Sequence, residues 1–206
     1  MKLYRPVSIV LIAVAALFSV SCIDLVISLG PWFDVEDGAI AEPRLRGSWC
    51  LDDEDADCSR EERMKFVPGP GKSWNVLGQG KVGYRVWMGE IGGTRYLDWM
   101  FLCEPSRDTA EDDCLDLDLP LGTHLLAQVT LLEEDRIEFR LLDGAKFADV
   151  LTHRGEPIVH ARQEDELVVV EDSETLAALL SEHGEQLDLW YEETLVLTRF
   201  RKGRAR

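Results

Sequence analysis

Basic charge is scarce in this sequence: 22 Lys and Arg stand against 39 Asp and Glu, a formal net charge of −17 over 206 residues. That balance excludes a nucleic-acid partner, because such sites cluster Lys and Arg against phosphate. Catalytic signatures are also missing. There is no G-x-S-x-G, no P-loop and no G-x-G-x-x-G. The four histidines are His124, His153, His160 and His183; none stands in H-E-x-x-H, and all four read as surface or helix-end polar groups. Carboxylates are so abundant that no single pair points to glycosidase chemistry. No nucleophile–base pair can be named, which favours a binding or interaction module over an enzyme, and no cofactor is implied. Wholesale disorder is excluded too, since 46% of the residues are hydrophobic.

The N-terminal segment reads as an address. Lys2 and Arg5 form a short positive region, Val7 to Val20 is almost unbroken apolar sequence, and the small residue Ser21 precedes Cys22. This resembles the lipobox of bacterial lipoproteins, with Ser19 standing where that family usually has an aliphatic residue. The resemblance implies a signal peptide over residues 1–21, a diacylated Cys22 as the new N-terminus, and attachment to the bacterial outer membrane through the acyl chains. Two alternatives stay open: cleavage by an ordinary signal peptidase, and retention of the run to Ile23 as a short membrane span, which needs about 20 residues. Removing Lys2 and Arg5 leaves a still more acidic body, repelled by anionic lipid. A covalent anchor then matters more than adsorption. Residues 22–44 mix Gly, Pro and acids with a few apolar side chains and read as a tether, able to dock in part through Leu25 to Leu29 or through Trp32 and Phe33.

Four further cysteines, Cys50, Cys58, Cys103 and Cys114, fit an oxidising compartment. Spacing favours Cys50–Cys58 and Cys103–Cys114, each closing a short acidic loop, while the crossed pairings remain open. Neither pair has the close spacing of a zinc site.

From residue 45 to 202 the pattern is that of one β-rich domain, followed by a basic tail over residues 203–206. Val82, Tyr84, Val86 and Met88 alternate with more polar neighbours, and Tyr96 to Cys103 reads as a strand buried on both faces. Leu125, Ala127, Val129 and Leu131, a turn at Glu133 to Asp135, then Ile137, Phe139 and Leu141 make the cleanest hairpin. A second hairpin runs from Ile158 to Arg162 and back through Leu167 to Val170, and Leu195 to Phe200 supplies a last strand. Two short helices interrupt the pattern. One carries Phe147, Val150 and Leu151; the other is capped by Asp172 or Ser173, carries Leu176, Leu179 and Leu180, and ends at His183-Gly184. Their shared A-x-x-L-[ST]-x-x-G-E spelling is consistent with a duplicated helix–strand unit or with common helix-ending chemistry. The fold expected is mainly β with two short helices, an antiparallel β-barrel or barrel-like sheet.

Gly47-x-Trp49, opening the first strand of that pattern, looks like the G-x-W signature of lipocalins and their calycin relatives. The layout from Gly47 to the final LVLTRFRK is similar to functionally uncharacterised bacterial lipoproteins. The resemblance implies a lipocalin-like barrel whose base is closed by Gly47 and Trp49, with Arg199 or Arg201 stacking on the Trp. It also implies an interior able to take a small hydrophobic ligand, for which Tyr84, Trp87, Tyr96, Trp99 and Phe101 are the aromatic candidates. An envelope protein that meets the acidic surface is the alternative partner. Asp53, Asp55 and Asp57 have the spacing of a calcium loop, but Cys58 and Met64 occupy the positions where such a loop needs Gly and a bidentate Glu.

Overall fold

The computed structural model describes residues 25–51, 58, 63–78, 81–102, 122–153, 160–163, 166–185 and 189–200. The strands are β1 (Leu25–Ser28), β2 (Ala39–Ile40), β3 (Gly47–Leu51), β4 (Met64–Pro68), β5 (Trp74–Gly78), β6 (Lys81–Ile91), β7 (Thr94–Phe101), β8 (His124–Leu132) and β9 (Arg136–Leu141). The helix α1 (Gly144–His153) follows, then β10 (His160–Gln163), β11 (Glu166–Val169), α2 (Ser173–His183) and β12 (Leu195–Arg199).

Eight of these strands close on themselves. β3 to β9 are a meander in which each strand pairs antiparallel with the next, β12 pairs with both β9 and β3, and the ring is complete. Closure satisfies every edge of the ring, which an open sheet of such apolar strands would leave exposed. The segment from α1 to α2 is an excursion between the last two barrel strands.

Alternation sets the interior. Trp49, Phe66, Val76, Val86, Met88, Leu97, Trp99, Leu125, Ala127, Ile137, Phe139 and Leu197 come from successive strands and form one buried cluster. The hairpin read from the sequence is present, with one difference. A register shift between Val129 and Leu131 makes Leu132 the partner of Ile137, so Leu132, not Leu131, joins the interior cluster. Between β4 and β5, Gly69 to Ser73 form a turn, closed by Gly69 N–H donating to Ser73 O at 2.9 Å.

A second core lies outside the barrel. Val26, Trp32, Phe33, Tyr96, Leu126, Phe147, Leu151, Leu167, Val169, Leu176, Leu179, Leu180 and Trp190 pack between the barrel wall and an outer layer of β1, β10, β11 and the helices. β1 occupies the upper edge of β8, beside the stretch that pairs with β9, and runs parallel to β11. From residue 25 onward the segment read as a tether able to dock in part is docked. All four residues of β1 are buried, as are Trp32 and Phe33, and the segment forms a strap across the barrel wall. The strap lies close: a Cβ at Gly89 would strike the Phe33 ring at 2.7 Å.

The two helices follow their sequence signals. At α2, the Asp172 carboxylate accepts from Thr175 N–H at 2.8 Å and Leu176, Leu179 and Leu180 face inward. At α1, Asp143 Oδ1 accepts from Ala145 and Lys146 N–H, and Phe147 and Leu151 are buried.

Candidate functional site

The barrel has one sealed end. A 3₁₀ turn, Pro43–Leu45, places Leu45 under the interior, and Trp49 Nε1 donates to Leu45 O at 2.7 Å. The Arg199 guanidinium lies over the Trp49 ring with its central carbon 4.3 Å from the centroid. It donates to the carbonyls of Arg44 and Arg46 at 2.6 Å each, and also to Glu134 O. One cation thus ties together the entry to β3, the β8–β9 turn and the end of β12. Such a stack contributes about 0.5–2 kcal/mol beyond the packing. Gly47 is required here twice over: its φ is +139°, and a Cβ would run into Arg199 Nη1. Arg44 is held in turn by Glu42, at 2.6 Å, and that pairing keeps the Glu42 carboxyl below its ordinary range.

The opposite end is aromatic. Tyr84, Trp99 and Phe101 point inward and meet edge to face, with ring centroids 6.0 Å apart for Tyr84–Trp99 and 5.1 Å for Tyr84–Phe101. Phe66 and Phe139 close on Trp99 from the sides, at 5.9 and 6.1 Å. At the base Leu45, Trp49, Ile137 and Leu197 are completely buried, whereas Trp99, Phe101 and Leu125 toward this end each retain 8–9% exposure, as do Met64, the register partner of Trp49, and Trp74 elsewhere in the cluster. Burial pushes the Tyr84 phenol up to about 12, so it stays a neutral donor. Trp99 Nε1 is buried and has no hydrogen-bond partner among the described residues.

Two of the five aromatic candidates are not in the interior. Trp87 and Tyr96 belong to the outer core, because strand alternation that turns Tyr84 and Trp99 inward turns Trp87 and Tyr96 outward. Their polar neighbours were not legible as a group. Asp98, fully buried on the outer face of β7, accepts from Trp32 N–H at 3.0 Å through Oδ2 and contacts His124 Nδ1 at 2.8 Å through Oδ1. Trp32 Nε1 donates to His124 O at 3.3 Å, and the His124 ring stacks on Trp87 with centroids 6.2 Å apart. Burial raises the Asp98 carboxyl above its ordinary range, opposed by His124 and by the Trp32 N–H. The surface reading of His124 is thus corrected. The available signal was Asp98, a lone carboxylate inside a run read as buried on both faces; such a group needs a partner.

Ser28 is the register partner of His124 and equally buried. Its hydroxyl accepts from Gly30 N–H at 3.2 Å, and no described hydrogen bond joins it to the imidazole. Ser28, through its pairing with His124, and Asp98, through Trp32 N–H, pin the strap to the barrel wall. A further polar row crosses the wall under the end of α2. Arg140 donates to Gln128 Oε1 at 2.9 Å, and Gln128 Nε2 and Trp190 Nε1 both donate to Gly184 O.

Cys50 and Cys58 form a disulfide with Cα atoms 5.9 Å apart. Cys22, Asp53, Asp55, Asp57, Cys103, Cys114, Arg201 and the tail at 203–206 lie outside the described residues. Among the described residues no group of three or more His, Cys, Asp or Glu side chains is placed to hold a metal ion. No family model matches the chain, and neither curated proteins nor solved structures show a match to it.

Proposed function

We propose that this chain is an exported lipoprotein of the cell envelope, anchored through Cys22, whose barrel is a binding module for a small hydrophobic molecule. The observation that carries the binding reading is the asymmetry of the closed barrel. Its interior is apolar throughout the cluster, one end is sealed by Leu45, Trp49 and Arg199, and the other carries Tyr84, Trp99 and Phe101 with residual exposure. Apolar and aromatic lining with few polar groups, the composition of this interior, is usual in small-molecule sites. Supporting the envelope reading are the order Lys2 and Arg5, apolar run, Ser21, Cys22, and the Cys50–Cys58 disulfide, which belongs to an oxidising compartment.

The docked strap adds a geometric consequence. Three residues of chain from Cys22 to Leu25 reach at most about 10 Å. An anchor at Cys22 would hold the start of β1 close to the lipid surface, with no long spacer between.

Each part has its own test. Replacing Cys22 with Ser should release the processed protein from the membrane fraction; retention on the membrane after processing contradicts the anchor. Native mass spectrometry of gently extracted protein should reveal a bound molecule of low mass that leaves on activation; the bare chain mass contradicts the binding module. A second reading, assembly with a basic envelope protein, draws on the net charge of −17. Crosslinking in whole cells that captures a stoichiometric protein partner, together with a bare native mass, would favour it.

A further inference from the structure

Besides His183, which contacts Glu182, four described side chains carry a buried polar atom with no described hydrogen-bond partner: Arg63 Nε, Tyr96 Oη, Arg140 Nε and Trp99 Nε1. Three of them are spoken for by packing. Arg63 lies over the Phe200 ring at 3.4 Å, and Arg140 already donates to Gln128. The Tyr96 hydroxyl is pressed against Gly184, where a Cβ would collide with it. Trp99 differs because its N–H is the one inside the barrel.

The other described indoles with assigned bonds show what such a group requires. Trp49 donates to Leu45 O, Trp190 to Gly184 O and Trp32 to His124 O. Each is fully buried and each is satisfied by a backbone carbonyl of its own chain. Trp99 has rings on three sides, from Phe66, Tyr84 and Phe139, and no described hydrogen bond joins its N–H to any of them, the Tyr84 hydroxyl included. An N–H donor left unmade in apolar surroundings is a standing cost, which an incoming acceptor removes. We propose that the barrel's ligand is an apolar molecule bearing a neutral carbonyl, such as an ester or ketone, which accepts from Trp99 Nε1.

Neutrality follows from what surrounds the site. The interior cluster is made of hydrophobic side chains, and Arg199, stacked on Trp49 at the base, is committed to three carbonyls there. A carboxylate brought to Trp99 would be stripped of water without a counter-charge, which strongly disfavours it. A hydrocarbon would enter but leave the N–H unpaired. This inference rests on the binding-module reading and sharpens it by naming the ligand's chemistry.

The test uses the full lipoprotein in lipid nanodiscs, with empty nanodiscs as the control for partitioning, and three matched probes: methyl decanoate, decanoate and undecane. The native protein should bind the ester about 3- to 10-fold more tightly than the hydrocarbon, the range one net hydrogen bond supplies, and more tightly than the acid anion. Trp99→Phe should bind ester and hydrocarbon alike. The native protein also answers without substitution: the indole absorption edge should shift to the red with ester and stay put with undecane. Equal affinities in the native protein, a preference for decanoate, or an ester advantage that survives in Trp99→Phe would each overturn the carbonyl assignment while leaving a hydrophobic binding module standing. Failure of all three probes to bind the native protein would overturn the binding module itself.

Discussion

The inner and outer cores of this protein both bury aromatic side chains, but by different means. Inside the barrel the described cluster is made of hydrophobic side chains, whose polar atoms are the tips of tryptophans and tyrosines, with the Arg199 seal at the base. Outside, under the strap and helices, the barrel strands bury Asp98, His124 and Gln128, and β1 buries Ser28, among the apolar side chains. The difference has a topological cause. The ring satisfies its own backbone, so its interior has no need of side-chain hydrogen bonds. The outer layer is added onto a finished wall, and its strap leaves the ladder after Ser28, so Trp32 N–H must find an acceptor in a side chain. Asp98 supplies it.

Substitutions at two tryptophans would break this comparison most sharply. Trp49→Ala should cost about 3–5 kcal/mol and lower protection from hydrogen exchange across all eight barrel strands, because it removes the base packing, the bond to Leu45 O and the Arg199 stack together. Trp32→Ala should cost a comparable amount by thermal melting, yet raise exchange only in β1, β10, β11 and the helices. Equal loss of protection in the barrel from both would show that the two cores are one cooperative unit.

Next in size is the disulfide. Its eight-residue separation predicts a loss of about 2 kcal/mol for Cys50→Ser in the chain-entropy account, read from denaturant midpoints.

Two carboxyls sharpen the contrast through pH. Burial raises the Asp98 carboxyl, so the folded chain holds its proton more tightly than the unfolded chain. Its contribution to stability therefore declines as pH rises from about 4 through the raised value. Asp98→Asn, which keeps an acceptor for Trp32 N–H, should flatten that decline and cost about 1–2 kcal/mol at acid pH. Glu42 has the opposite sign. Its lowered carboxyl stabilises the fold above about 4.5 and loses that contribution as pH falls through the folded value. Glu42→Gln should cost less than about 1 kcal/mol at neutral pH, since Arg44 is partly in water, and nothing in strong acid. Urea titrations of the three proteins across pH 3–8 separate the two slopes.

The barrel was largely legible in the sequence because period-two alternation reports a strand with one wall facing a core. Ile137, Phe139 and Leu141 announce their face, and so do the caps and leucine stripe of α2. The outer layer was not legible. β1 is four buried residues next to an apolar leader, and its parallel partner β11 lies far along the chain, so no local turn signals the pairing. Trp87 and Tyr96 went to the wrong side because aromatic content shows that a strand is buried and only parity shows where. Asp98 and His124 are 26 residues apart, and only the folded sheet brings them together.

Trp99 carries a buried donor with no described partner, whereas the fully buried indoles Trp32, Trp49 and Trp190 each bond to a backbone carbonyl of the chain. The indole region of a proton–nitrogen correlation spectrum tests that difference directly, titrating methyl decanoate into the full protein. The account predicts that the Trp99 N–H resonance moves downfield to saturation while those of Trp32, Trp49 and Trp190, already bonded within the chain, hold still. A stationary Trp99 resonance while the outer-face Trp87 shifts would place the molecule on the outside of the wall and contradict the account.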